Sequence, residues 1–192
     1  MIMKIAVLYG STRSERQGIK AAKFMVNKLK ERGHESYLVD AMEHKLPFLD
    51  KMYKEYEKGK APKEMEKIAQ MLSEADGFVV VSGEYNHATP PALKNMLDHF
   101  QKEYHFKPSA IVTYSAGPFG GIRVAVHLRD ILAELGMPSI PSAFPISAVQ
   151  DSFDENGKAT NEAYDRRVGK FLDEFDWYLN AFKNERDKGT PY

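Results

Sequence analysis

Nine residues, Gly10-Ser11-Thr12-Arg13-Ser14-Glu15-Arg16-Gln17-Gly18, gather three hydroxyls, two guanidinium groups and two glycines between an apolar run and an amphipathic one. That mixture suits a monophosphate. Free backbone N–H groups and a helix dipole favour an anion, Ser11 adds a hydroxyl, Arg13 and Arg16 offer bidentate hydrogen bonds, and Gly18 adds flexibility at the helix start. The stretch is neither a P-loop nor G-x-G-x-x-G, because the terminal GK[ST] and the glycine spacing are missing. An ordinary strand–helix turn with exposed arginines is the plain alternative.

A second stretch, Val79-Val80-Val81-Ser82-Gly83-Glu84-Tyr85-Asn86-His87-Ala88-Thr89-Pro90-Pro91, passes from a β-branched run into a polar, aromatic loop and then into a helix. Thr89 reads as its N-cap, with proline in the first turn. Tyr85 offers a ring face, Glu84 and Asn86 offer hydrogen bonds, and His87 contributes through its backbone N–H, which together suit a flat ligand with polar edges. A third loop, Ser115-Ala116-Gly117-Pro118-Phe119-Gly120-Gly121, carries a hydroxyl and three glycines that let a ligand approach the backbone closely. Glycines serve tight turns equally well.

Other chemistry is poorly supported. The six histidines show no metal-ligand spacing, and His99 and His127 read as helix-surface residues. Ser11 and Ser115 lack the G-x-S-x-G context of a hydrolase nucleophile. With no cysteine, disulfides, thiolate catalysis and Cys-bound zinc or iron–sulfur centres are excluded. Lys+Arg and Asp+Glu each total 27, and the resulting formal charge of +0 gives no reason to expect nucleic acid or a membrane surface as partner. The composition, 43% hydrophobic and 28% charged, is that of a globular chain. The apolar run near Met1 is too short for a signal peptide, and a cytoplasmic location is expected.

The elements that must position these loops alternate. Ile5–Tyr9, Tyr37–Val39, Phe78–Val81 and Ala110–Tyr114 read as buried strands, and residues 137–149, with three prolines, as a fifth and less regular one. Amphipathic helices fall between them. The first closes at Gly33; the last carries Tyr164, Val168, Phe171, Leu172, Phe175, Leu179 and Phe182 at helical spacing. Residues 41–62 read as a long connection or a lid edge, and the Lys/Glu alternation from 54 to 67 as a solvated face. A βαβαβαβαβα order predicts a three-layer α/β fold with a five-stranded parallel sheet. In the strand order 2-1-3-4-5 the loops after strands one, three and four are adjacent and form one composite site. A single domain is expected over residues 1–185, with 186–192 as a loose tail.

These loops resemble those of the NADPH-dependent FMN reductase family of the flavodoxin-like superfold. The residues that carry the resemblance are Gly10-Ser11-Thr12-Arg13 with Arg16 and Gly18, then Glu84-Tyr85-Asn86-His87 with Pro90, Leu93-Lys94-Asn95 and Asp98, and then Ser115 to Gly121 with Arg123 and His127-Leu128-Arg129. The resemblance implies FMN, its phosphate on Ser11, Arg13, Arg16 and Gly18. The isoalloxazine ring would lie against Glu84, Tyr85, Asn86 and His87, under a cover made by Ser115, Ala116, Gly117, Gly120 and Gly121. It implies NADPH or NADH as co-substrate, a quinone, azo compound or free flavin as acceptor, and a homodimer or homotetramer. The flavin does the redox chemistry, so no catalytic side chain is expected. A flavodoxin-like electron carrier and a nucleotide- or phosphate-binding regulatory module are the competing readings. The balanced charge argues against the carrier, since such proteins are usually acidic.

Overall fold

The computed structural model describes all 192 residues. Five parallel strands run β1 (Lys4–Tyr9), β2 (Glu35–Asp40), β3 (Gly77–Gly83), β4 (Ser109–Tyr114) and β5 (Ser139–Ile146), in the spatial order β2-β1-β3-β4-β5. The helices are α1 (Gly18–Glu31), α2 (Lys63–Glu74), α3 (Pro91–Asp98), α4 (Val124–Glu134), a short α5 (Val149–Ser152) and α6 (Glu162–Arg186).

Strand alternation divides the core in two. Ile5, Val7 and Tyr9 of β1 pack on one face with Val79, Val81, Ala110 and Val112, beneath α1 and α6. Ala6 and Leu8 point to the other face, with Phe78, Val80 and Ile111, beneath α2, α3 and α4. Every residue of β3 is buried, as a central strand covered on both sides requires. Tyr9 lies level with Asp40 and Val81, and Gly83 with Tyr114, so four loops leave the sheet side by side.

Edge strand β5 absorbs the prolines. Ser109 pairs with Ser139 but Ile111 with Ala143, so β5 bulges at Pro141, where a ladder N–H would otherwise be missed. Arg129 of α4 donates to the Ser139 hydroxyl at 3.0 Å and the Ile140 carbonyl at 2.9 Å, closing the irregular stretch.

The first helix closes at Gly33 as expected, and several other details differ from the sequence expectation. Helix α1 stops at Glu31 with Gly33 at φ 86°, where the Gly33 amide donates to Lys30 and the His34 amide to Leu29, a Schellman end. His99 is fully buried, with Nδ1 2.7 Å from the Asn95 carbonyl, because it falls just past α3 on the core side. The last helix runs through Arg186, whose guanidinium donates to the Phe106 carbonyl at 2.9 Å and to Asp76 at 3.0 Å. Arg186 is therefore anchored rather than part of a loose tail. Residues 41–62 are tied down as well: the Asn95 side chain donates to the Pro47 carbonyl at 2.8 Å and accepts the Leu49 amide at 3.0 Å. A 3-10 turn follows at Tyr53–Glu55, with the Tyr53 amide on the His99 carbonyl.

Candidate functional site

The loop after β1 enters α1 at Gly18 without a side-chain cap. None of the backbone amides from Ser11 to Gln17 donates to an acceptor within the chain. Together with the first amides of α1 they form a run of free donors at a helix N-terminus, the arrangement that receives anions. Arg13 is exposed and enters no ion pair. Arg16 is committed elsewhere: its guanidinium hydrogen-bonds the fully buried Asp40 carboxylate and the Ser11 carbonyl. The two arginines read as equivalent phosphate clamps thus occupy different positions, one free and one engaged.

Gly18 is needed for contact rather than for flexibility. A Cβ there would sit 2.1 Å from the Tyr114 ring, and one at Gly83 would sit 3.1 Å from the same ring. Tyr114, at the end of β4, is wedged between the start of α1 and the end of β3. Burial pushes its phenol far above the usual range, so it stays neutral.

After β3 the chain makes a tight turn. The amide of Tyr85 donates to Ala88 at 3.1 Å and the amide of Ala88 to Tyr85 at 3.0 Å, with Asn86 at φ 50° and His87 at φ 67°. Two successive positive φ values define a type I′ turn, and Asn and His are among the non-glycine residues that tolerate it. Both side chains are exposed. Thr89 does not cap α3: Pro90 holds that position, and the Thr89 hydroxyl is buried without a partner. The effective cap is Glu84, and it serves α4. Its carboxylate accepts the amides of Arg123 at 2.9 Å and Val124 at 3.2 Å, joining the loops after β3 and β4.

The loop after β4 is held from behind. Its Ser115 amide donates to Ile146 and its Ser115 hydroxyl to the Gly117 carbonyl at 3.0 Å. Gly120 (φ 60°) and Gly121 (φ 67°) lie against β5 and β4; a Cβ on Gly121 would meet the Tyr114 carbonyl at 2.6 Å.

A cleft of about 460 Å³ opens among these loops. Of the expected residues it is lined by Ser11, Arg13, Arg16 and Gly18 from the first loop, and by Glu84, Tyr85, Ser115 and Ala116 from the others. Asn86, His87, Gly117, Gly120 and Gly121 do not line it: Asn86 and His87 are exposed on their turn, and Gly120 and Gly121 pack against β5 and β4. Tyr114, Val149 and Gln150 also line it. Tyr114 could be found as the last residue of a strand, whereas Val149 and Gln150 follow β5 with no motif. The residues fit a flat, phosphate-bearing ligand such as FMN: the cleft lining joins the loop with free amides and Arg13 to a 37% exposed Tyr85 ring. Glu15 adds one carboxylate to the same wall.

A doubly wound sheet of order 2-1-3-4-5, with a cleft over its switch point, defines a flavodoxin-like fold. Residues 3–151 match the model of the NADPH-dependent FMN reductase family, and the chain belongs to that family. A quinone reductase of Escherichia coli is 34% identical over 126 residues, covering 63% of this chain and 64% of that protein. The aligned stretch thus spans just under two thirds of that relative. A quinone reductase of Pseudomonas putida is 29% identical over 183 residues, 91% of this chain and 93% of that protein. Among solved structures, FerB of Paracoccus denitrificans, a flavoenzyme NAD(P)H:(acceptor) oxidoreductase, superposes with a TM-score of 0.75 at 23% identity over 94% of this chain and 99% of that one.

Proposed function

We propose that this protein is an FMN-dependent NAD(P)H oxidoreductase that delivers two electrons to a quinone, azo compound, free flavin or similar small acceptor. The observation that carries the reading is the cleft that joins the unpartnered Arg13 and the free amides of residues 11–17 to the Tyr85 turn. When bound, FMN would supply the redox chemistry, hydride acceptance from NADPH or NADH and two-electron reduction of the acceptor.

The chain's residues bind and orient. Ser11, Arg13 and the loop amides hold the phosphate, with the start of α1 at Gly18 behind it. Tyr85 gives a ring face, and Asn86 and His87 offer amides from the turn closed by the Tyr85–Ala88 hydrogen bonds. Ser115 and Ala116 close the opposite wall, backed by Gly117, Gly120 and Gly121. Glu84 keeps the two walls at a set distance through its hold on α4. Tyr114, held neutral, supports the floor without exchanging protons. By its resemblance to the family we further propose a homodimer or homotetramer in the cytoplasm. No helix is long and apolar enough to cross a membrane.

The competing electron-carrier reading differs in one observable. With FMN and p-benzoquinone present, the enzyme reading expects NADPH or NADH to be consumed catalytically, at a rate that falls to background without FMN. Tight FMN binding with no turnover of either nicotinamide would support the carrier instead.

A further inference from the structure

Arg16 and Asp40 form a buried pair beside the cleft that the proposed chemistry does not use. Asp40 ends β2, its side chain has 0% exposure, and it does not line the cleft. The side chain of Arg16 is 14% exposed. From this position one guanidinium nitrogen reaches both Asp40 Oδ1 and the Ser11 carbonyl, the latter at 3.1 Å. The guanidinium carbon also stands 5.4 Å from the centre of the Tyr9 ring. The contact to Ser11 spans five residues and closes the loop into a ring whose own amides stay unspent.

Asp40 does more than neutralise a charge. The same Oδ1 accepts the Met42 amide at 2.9 Å, and the Asp40 carbonyl accepts the amides of Glu43 and His44 at 3.1 and 2.8 Å. One residue therefore fixes the start of the loop after β2 and the loop after β1 together. Its other oxygen, Oδ2, is buried with no partner. Burying a half-satisfied carboxylate is a poor way to gain stability, since an apolar pair of the same shape does as well or better. A pair kept under those terms calls for another role.

We infer that Asp40 is a positioning residue: through Arg16 it holds the Ser11–Gly18 loop in the shape that receives the phosphate, while Arg13, not Arg16, makes the guanidinium contact. This rests on the FMN reading. It divides two arginines that look alike in sequence into a ligand and a brace.

Comparing FMN with riboflavin, which lacks the phosphate, separates a loop effect from general loosening. Both flavins would be titrated into the full-length apoprotein and followed by quenching of flavin fluorescence. For Asp40→Asn the FMN dissociation constant should rise on the order of tenfold, as removal of an outer-shell partner does at metal sites. The riboflavin constant should stay put. An unchanged or tighter FMN constant would overturn the inference, because a released Arg16 would then be serving as a phosphate ligand. Equal losses for the two flavins would also overturn it, since the pair would then support only the fold.

The double variant Asp40→Asn/Arg16→Gln removes both charges, Asn matching Asp in shape and Gln shortening the Arg16 arm, and covers the case in which the single variant does not fold. It should show the same FMN-selective loss, and where both variants fold the loss should not exceed that of the single one, as expected for coupled residues. A much larger loss would place Arg16 on the ligand and overturn the inference. Wild-type protein that folds but binds no FMN would sink the FMN reading itself, and this inference with it. Wild-type binding with unaffected variants would sink this inference alone.

Discussion

At the scale of single residues, the site depends on which charged groups are already spent. Arg16 is engaged by Asp40, whereas Arg13 faces the cleft with no partner, and only Arg13 has a full set of donors to give. A charge-assisted hydrogen bond contributes about 2 kcal/mol, so Arg13→Ala should weaken FMN binding by roughly 30-fold. Riboflavin binding should change little, and fluorescence titration of both flavins reads the difference. Unchanged FMN affinity would remove Arg13 from the phosphate site. The density of hydroxyls, arginines and glycines in residues 10–18 is visible in the sequence. The division of labour is not, because the partner of Arg16 lies 24 residues away on another strand. Gly18 shows a related limit: its presence is legible, but its reason, the Tyr114 ring, comes from a residue nearly a hundred positions later that only the sheet brings close.

At the scale of elements, the loops after β3 and β4 behave as one unit because Glu84 of the first caps the helix that follows the second. Removing that carboxylate should cost about 1–2 kcal/mol, as for other caps and helix-dipole partners in partly buried places. Urea unfolding of Glu84→Ala should show this loss. Glu84→Gln keeps an acceptor without the charge and should recover part of it. A Gln variant as stable as the wild type would contradict a role for the charge. From the sequence Glu84 is recognisable as a loop residue able to hydrogen-bond, but the amides that donate to it, those of Arg123 and Val124 at the start of α4, are not legible. Thr89 fails for a local reason, since the two prolines after it fix the backbone so that Pro90 takes the cap position. The Asn86-His87 turn was hidden too, because a type I′ turn is usually signalled by glycine.

At the scale of the whole molecule, the architecture was the most legible part. Continuous apolar strands alternating with amphipathic helices leave few arrangements, and right-handed crossovers with a switch point lead to the order observed. The irregularity of β5 is legible in its prolines. What escaped was the burial of His99 and the pinning of residues 41–62 by Asn95, which depend on packing between separate segments. The central claim concerns the molecule as a unit: three loops assembled by the sheet hold a flavin where a nicotinamide can reduce it. Recording the visible spectrum of the FMN-loaded protein and then adding NADPH or NADH without oxygen tests that claim most directly. The account predicts protein-bound flavin absorption that bleaches on addition and returns when a quinone is supplied. Absence of bound flavin after addition of FMN, or bands that persist with both nicotinamides, would contradict it.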